Sequence, residues 1–277
     1  QVLTINPKHE TAMAAITNVA KKFFNEGNSA YKRGNLEGAL AGYNKVLDID
    51  QGFYQAHYQI GVINSKMGDK EAAIKSYEMA LSDNPDFYKG WFALGLAKSS
   101  KNDSEGALEA LENAVNINPG YGKAYVAMAD LYVRNDNPED AKRVLNLAIQ
   151  VNPTYSKAYA NLGVIYFDGE DDEQALINLE MATSLNEKDA MSWFRLAGTY
   201  SHLGECDKAV AAARMCTELK SRFGGGWFEL GVAEWCKGKG NKTAALNAFE
   251  KARNDRNWRK MAEYELDRVK NPQKYES

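Results

Sequence analysis

Aromatic and amide side chains recur along this 277-residue sequence in a pattern that suits noncovalent binding better than catalysis. The aromatic members are Tyr31, Tyr58, Phe92, Phe167, Phe194, Phe228 and Trp235. The polar members are Asn25, Asn28, Gln55, Gln59, Asn161 and Arg195. Aromatic rings provide large contact areas, and amide groups provide the donors and acceptors that an extended peptide backbone needs. Residues of these types suit contacts with a peptide segment if the fold brings them onto one surface.

Lysines recur at one further position of the same pattern and predict a positively charged edge. They are Lys21, Lys89, Lys123 and Lys157. Each exposed ion pair contributes only about 0.2–1 kcal/mol, so these lysines would steer an acidic partner without holding it alone. The alternative interpretation is that they are ordinary solvated surface lysines.

Motifs of nucleotide and metal sites are missing from the sequence. It contains neither a G-x-x-x-x-G-K-[ST] loop nor an H-E-x-x-H pair, and its three histidines lie far apart. We interpret Cys206, Cys216 and Cys236 as small packing residues rather than metal ligands or a disulfide pair, because they are odd in number and not spaced as C-x-x-C. The sequence predicts a protein that is not an enzyme and that has no cofactor or metal.

Charge and hydropathy narrow the class of partner. The formal net charge of −3 gives no overall basic field, so a nucleic acid is a poor candidate. No apolar run approaches the roughly 18 to 20 residues that a membrane span needs. The chain begins at Gln1 without a methionine, so we expect that an upstream segment was removed. That favours a periplasmic or cell-envelope location, whereas unpaired cysteines suit the cytosol, and the location stays open.

The elements that position these residues form an internal repeat of 34 residues. Trp91, Leu94 and Gly95 recur 68 residues later as Tyr159, Leu162 and Gly163. Counting Ala20 as register position 1, the predicted repeats are 20–53, 54–87, 88–121, 122–155, 156–189, 190–223 and 224–257. Residues 1–19 are predicted to hold the end of a truncated upstream repeat and a backward extension of the first helix, and residues 258–277 a capping helix and tail.

Each repeat is predicted to be a pair of helices. Position 16 carries a helix N-cap residue in five repeats, namely Asn35, Asp69, Asp103, Asn137 and Asp171. Small residues recur at position 20, from Ala39 to Ala209, and allow two helices to approach closely. The second helix ends at Asn-Pro steps such as Asn84-Pro85.

The pattern W-x2-L-G-x2-Y followed by A-x3-F closely resembles the tetratricopeptide repeat over residues 20–253. The resemblance implies an all-α, right-handed superhelical α-solenoid of about seven helix pairs with a C-terminal capping helix. It also implies that positions 2, 5, 6, 9, 12 and 13 of each repeat face a concave groove, where all the candidate residues above would lie. For position 5, notably Phe92 and Phe194, the alternative is packing on the second helix of the preceding repeat.

One subclass of the family grips the C-terminal carboxylate of chaperones, and the sequence argues against that role. Asn161 and Arg195 match two of its positions, but Val126, Asp130 and Met191 replace other required residues. We expect instead a scaffold that binds an extended peptide or partner protein in the groove, and self-association is a further possibility. The alternatives are a non-catalytic region of a larger enzyme or of a secretion or envelope machine, and a small-ligand carrier with an aromatic pocket near Phe194, Phe228 and Trp235.

Overall fold

The computed structural model describes residues 9–275, and this part of the chain is helical without strands. Its α-helices are α1 His9–Lys32, α2 Leu36–Ile49, α3 Tyr54–Met67, α4 Lys70–Asp83, α5 Tyr88–Ser100, α6 Ser104–Ile117, α7 Gly122–Arg134, α8 Pro138–Val151, α9 Ser156–Asp168, α10 Asp172–Leu185, α11 Ala190–His202, α12 Cys206–Leu219, α13 Gly224–Cys236, α14 Lys242–Ala252 and α15 Arg259–Lys270. Short 3₁₀ helices occupy Lys239–Asn241 and Pro272–Lys274. The predicted all-α fold class is confirmed.

The chain forms two compact units that are divided after Asn135. In the first unit α1 packs on α2, α3 on α4 and α5 on α6, and α7 follows. In the second unit α8 precedes the packed pairs α9 with α10, α11 with α12 and α13 with α14. Each unit is thus a stack of successive helix pairs, as in an α-solenoid.

The second helices begin at the predicted N-caps. The Asn35 side chain accepts a hydrogen bond from the Gly38 N–H at 2.9 Å, and Asp69 accepts one from Ala72 at the same distance. Asp103, Asn137 and Asp171 do the same for the helices that follow them. Each such bond satisfies a donor that the first turn of a helix leaves free, so the boundary is fixed locally.

Within a pair, glycine at position 8 of the first helix meets a large residue at position 24 of the second. A Cβ atom added to Gly163 would lie 2.5 Å from Leu179 Cγ, and one added to Gly61 would lie 2.5 Å from Tyr77 Cε1. Leu179 is fully buried and Tyr77 nearly so. The large side chain therefore fills the space that the glycine leaves, which sets the close spacing of the two helices.

The C-terminal helix pair is covered by a further helix, whereas the first helix is extended at its N-terminal end. Helix α15 covers the last helix pair, because Ala262, Leu266 and Val269 are buried in one cluster with Phe249 and Ala252. The predicted C-terminal capping helix is confirmed. Helix α1 begins at His9, eleven residues before the repeat register. The upstream-repeat remnant predicted in residues 2–7 lies outside the described residues, and the repeat boundaries remain a prediction from the register.

The interpretation of the cysteines as three packing residues is wrong for two of them. Cys206 and Cys236 form a disulfide with their Cα atoms 5.6 Å apart. The two stand at position 17 of one repeat and position 13 of the next, and helix packing brings these positions together although 30 residues separate them. Cys216 is buried and free, as expected of a packing residue.

The glycine triplet Gly224, Gly225 and Gly226 forms the first turn of α13 and is buried. The Gly224 N–H donates to an Asp255 carboxylate oxygen at 2.9 Å. A Cβ atom added to Gly226 would lie 2.7 Å from Cys216 Sγ. The glycines are therefore needed for close helix contact.

Candidate functional site

The candidate site is the surface formed by positions 2, 5, 6, 9, 12 and 13 of the first helices, which we call the first-helix face. On α5 these positions are Lys89, Phe92, Ala93, Leu96, Ser99 and Ser100, and all are at least partly exposed. The buried residues of the same helix, which include Leu94 and Gly95, all stand at other positions. The pattern predicted from the family therefore matches the solvent-facing side of the helix, and Leu96 there is 45% exposed.

Position-5 aromatic rings belong mainly to the interior of each repeat. Tyr58 packs edge-on to Phe87 at 5.0 Å, and Phe92 packs edge-on to Tyr121 at 5.1 Å between ring centroids. These contacts are made with position 34 of the same repeat, not with the second helix of the preceding one. The rings that remain half-buried, Tyr58 and Phe92, still border the first-helix face.

Two of the predicted contact residues are more deeply placed. Phe194 is 8% exposed and Phe228 is 9% exposed. Both rings pack against the Trp258 indole, with centroids 5.6 and 5.2 Å away. The space around which an aromatic ligand pocket was envisaged thus contains the Trp258 ring.

Position-12 aromatic rings lie at the surface. Tyr31, Phe167 and Trp235 are half-buried. The Lys66 ammonium lies 4.9 Å from the centroid of the Tyr31 ring, and the His202 imidazole stacks on Phe167 at 4.8 Å. Rings that stack on cations in this way offer apolar contact area to a bound segment.

The predicted polar contact residues differ in whether their side chains are already hydrogen-bonded. The Asn28 side chain accepts a hydrogen bond from the Tyr43 hydroxyl at 2.7 Å, so its carbonyl is already engaged. Within residues 9–275, no side-chain hydrogen bond occupies the amides of Asn25, Gln55, Gln59 and Asn161. Those four amides are therefore available to a peptide backbone.

The predicted cationic edge is exposed throughout. Lys21, Lys89 and Lys123 belong to the first unit and Lys157 to the second, and each is solvent-exposed. Among the described contacts, only Lys89 is tied to a neighbour, with its ammonium 5.8 Å from the Tyr88 ring centroid. The three lysines of the first unit thus have no ion-pair partner among the described residues.

Charged groups on the first-helix face of the second unit are organised around Arg195. Its guanidinium lies 3.8 Å from an Asp168 carboxylate oxygen and about equally far from the Phe167 and Phe194 rings, at 5.8 and 5.4 Å. Two helical turns further along α11, the His202 Nδ1 atom lies 3.4 Å from an Asp172 carboxylate oxygen. Both side chains thus have an acidic neighbour.

Glu229 is a member of this face that sequence reasoning missed. It stands at position 6 of α13, and protein atoms around the carboxyl remove water and raise its pKa to about 7, against a smaller opposing influence of Arg195. Within the described residues it makes neither a hydrogen bond nor an ion pair. Its register position, shared with Asn161 and Arg195, is the signal that could have identified it.

Among the described residues, no three His, Cys, Asp or Glu side chains are grouped so that they could hold a metal ion. No described helix is both long enough and apolar enough to cross a membrane.

Family models match several stretches of the chain and together span more than half of it. Models described as tetratricopeptide repeat match residues 100–162, 54–87 and 156–189, and a model described as TPR repeat matches residues 27–68. No curated protein sequence matches the chain.

Solved structures of repeat proteins share the fold. A tetratricopeptide repeat protein from Parabacteroides merdae is 16% identical with a TM-score of 0.62, covering 91% of this chain and 99% of that one. PilF of Pseudomonas aeruginosa is 16% identical with a TM-score of 0.64, covering 75% and 94%. YrrB, described as having an unusual peptide-binding site, is 22% identical with a TM-score of 0.57, covering 69% and 98%. At these identities the likeness establishes the fold alone.

Proposed function

Because this chain belongs to the tetratricopeptide repeat family, whose fold is a protein-interaction scaffold, we propose that its first-helix face binds an extended segment of another protein. The observation that carries the proposal is the composition of that face. It combines exposed apolar side chains, half-buried rings and amides without partners in the described structure.

In the first unit, the face has the three groups that an extended peptide requires. Leu96 and Val133 are 45% and 48% exposed and can cover apolar side chains of the partner. The unengaged amide of Gln59 can pair with backbone N–H and C=O groups, whose burial without partners would be costly. Rings such as Tyr31 add area with little loss of conformational freedom.

Charge in the first unit favours an acidic segment. The exposed ammonium groups of Lys21, Lys89 and Lys123 stand along one edge of the face. Each contributes little by itself, but together they raise the encounter rate with a negatively charged partner, and this effect weakens as salt is added.

A binding role for the second helices is the main competitor. On α10 the exposed apolar side chains Ile177, Met181 and Leu185 follow one another at spacings of four residues, and Ile177 is 60% exposed. Such a stripe could contact a partner or a second copy of the chain. It lacks the accompanying unengaged amides, so the first-helix face suits an extended backbone better.

The test uses a random library of 12-residue displayed peptides selected on the immobilised chain. Synthetic versions of the selected peptides are then titrated against wild type, against a Gln59→Ala, Leu96→Ala variant and against an Asn161→Ala, Arg195→Gln variant. A Met79→Ala, Ile177→Ala variant changes exposed residues of the second helices and is the matched control.

We expect at least one first-helix variant to bind about tenfold more weakly, because each removes contact area or donors from the proposed surface. The second-helix control should bind as wild type does. The proposal would be contradicted if the chain selected no peptide, or if only the control variant lost binding.

A further inference from the structure

A notch interrupts the first-helix face of the second unit at Gly198. Position 9 carries a side chain in the other repeats, for example Val164 and Val232, but Gly198 has none. A Cβ atom added there would lie 3.5 Å from Phe167 Cζ and 3.7 Å from Glu229 Oε2. Gly198 itself is buried, so the notch is a narrow gap with an aromatic ring on one side and a carboxylate on the other.

The Arg195 cation near this notch has an ion partner, whereas the Glu229 carboxylate has none within ion-pair distance. Arg195 lies against the Phe167 ring and its ion partner is Asp168, at 3.8 Å. His202 is stacked on the same ring, and its Nδ1 atom lies 3.4 Å from an Asp172 carboxylate oxygen. No described cation comes within ion-pair distance of Glu229, and Arg195 acts on the carboxylate only at longer range.

Burial makes this arrangement unfavourable for a carboxylate in the absence of a ligand. The surrounding protein raises the pKa of Glu229 to about 7, so the charged form is poorly solvated where it stands. A partly buried charge is stabilised when an opposite charge approaches it in the same low-polarity surroundings. Glu229 is half-buried, and neither of its carboxylate oxygens is fully buried without a partner, so the carboxylate keeps contact with solvent.

We propose that the notch binds a lysine or arginine side chain of the partner segment, with its hydrocarbon stem on Phe167 above Gly198 and its cationic head on Glu229. The stem of either side chain is long enough to lie on the Phe167 ring while the cationic head reaches the Glu229 carboxylate across Gly198. The inference rests on the proposed binding of an extended segment to the first-helix face. It adds that the segment carries a basic residue where it crosses α9, α11 and α13.

The experiment begins with the displayed-peptide selection on the intact chain. For each selected peptide, every lysine or arginine is replaced singly by norleucine, which keeps an apolar stem and removes the charge. Dissociation constants of parent and replaced peptides are measured by fluorescence anisotropy for wild type and for Glu229→Gln. Glu218→Gln is the matched control, because Glu218 is an exposed glutamate on the second helix α12 of the same unit.

We expect one basic position per peptide at which norleucine weakens binding to wild type and to Glu218→Gln about tenfold, since a charge-assisted contact is lost. In Glu229→Gln the parent and norleucine peptides should bind alike. Circular dichroism and melting of the variant establish that it is folded, and glutamine keeps the shape of glutamate.

Two outcomes would overturn the inference in different ways. If peptides bind to the first-helix face but norleucine has the same effect in wild type and Glu229→Gln, the notch does not recognise a basic side chain while the proposed function stands. If the chain selects no peptide, or peptides whose binding only second-helix variants change, both the notch and the proposed function fail.

Discussion

Cys206 at the start of α12 and Cys236 at the end of α13 are joined by a disulfide across two successive repeats. The same two register positions meet elsewhere without a covalent bond. Lys70 Nζ donates to the Ser100 carbonyl, and His202 pairs with Asp172, in both cases 30 residues apart. The disulfide thus replaces a polar contact of the repeat by a covalent one near the C-terminal end of the stack.

Reduction of this disulfide should destabilise the last repeat. Closing a loop of about 30 residues restricts the unfolded chain, which corresponds to about 3.6 kcal/mol in the chain-entropy account. We expect the melting temperature of wild type to fall on addition of a thiol reductant. A Cys206→Ser, Cys236→Ser variant should melt at the lower temperature with or without reductant, and Cys216→Ser should retain the reductant response. A wild-type melting curve that does not change on reduction would contradict the prediction.

Gly198→Ala should stabilise the protein while it fills the notch. The added Cβ would make ordinary contacts of 3.5 to 3.7 Å, and alanine is favoured over glycine inside a helix by about 1 kcal/mol. The matched change Gly163→Ala should destabilise, because its Cβ would lie 2.5 Å from Leu179 Cγ. Urea unfolding curves of the two variants check the opposite signs. Destabilisation by Gly198→Ala would show that the space is not there.

Stability should fall as pH rises from about 4.5 to about 7 through the titration of Glu229. Its pKa is raised to about 7 in the folded state by burial, so the folded chain binds the proton more tightly than the unfolded chain. The unfolded chain therefore loses its proton first, and unfolding becomes easier until the folded-state pKa is passed. The contribution is at most about 3 kcal/mol.

The variant Glu229→Gln isolates this effect. Unfolding free energies of wild type and variant at pH 5 and pH 8 give the change due to Glu229 by difference, since other groups titrate in both proteins. We expect the variant to gain stability relative to wild type at pH 8 and to lose that advantage at pH 5. An equal difference at both pH values would refute the raised pKa.

Truncation of Phe194 should affect folding far more than truncation of Tyr31. The Phe194 ring is buried between Phe223 and Trp258, at 5.2 and 5.6 Å, and loss of a core aromatic costs about 3–5 kcal/mol. The half-buried Tyr31 ring faces solvent and contacts Lys66, so Tyr31→Ala should cost about 1 kcal/mol. Chemical denaturation of both variants checks the ranking. Similar losses would mean that the position-5 and position-12 rings are not distinct in role.

Local features of the fold could be predicted from the sequence because each depends on neighbours along the chain. Asn35 and Asp69 mark helix starts by their own side-chain bonds, and the spacing of glycine and alanine fixes which sides of the helices meet. The disulfide could not be predicted in this way, because positions 17 and 13 of successive repeats become neighbours only when helices stack.

The candidate site was predictable as a set of positions but not as a set of roles. The register placed Leu96 and Gln59 on the solvent side of their helices, where the structure has them. It did not reveal that Phe228 lies under Trp258, a residue outside the repeats. Nor did it reveal Glu229, because the notch needs the absence of a side chain at Gly198 together with residues from three separate repeats.

The most direct test of the central claim, that the first-helix face is the binding surface, is hydroxyl-radical footprinting of the chain with and without a selected peptide. Side chains of the first-helix face, including Tyr31, Leu96 and Phe167, should become less reactive when the peptide is bound. Met79, Ile177 and Met181, which are exposed on the second helices, should be unchanged. Protection of the second-helix residues with unchanged reactivity of the first-helix residues would contradict the account.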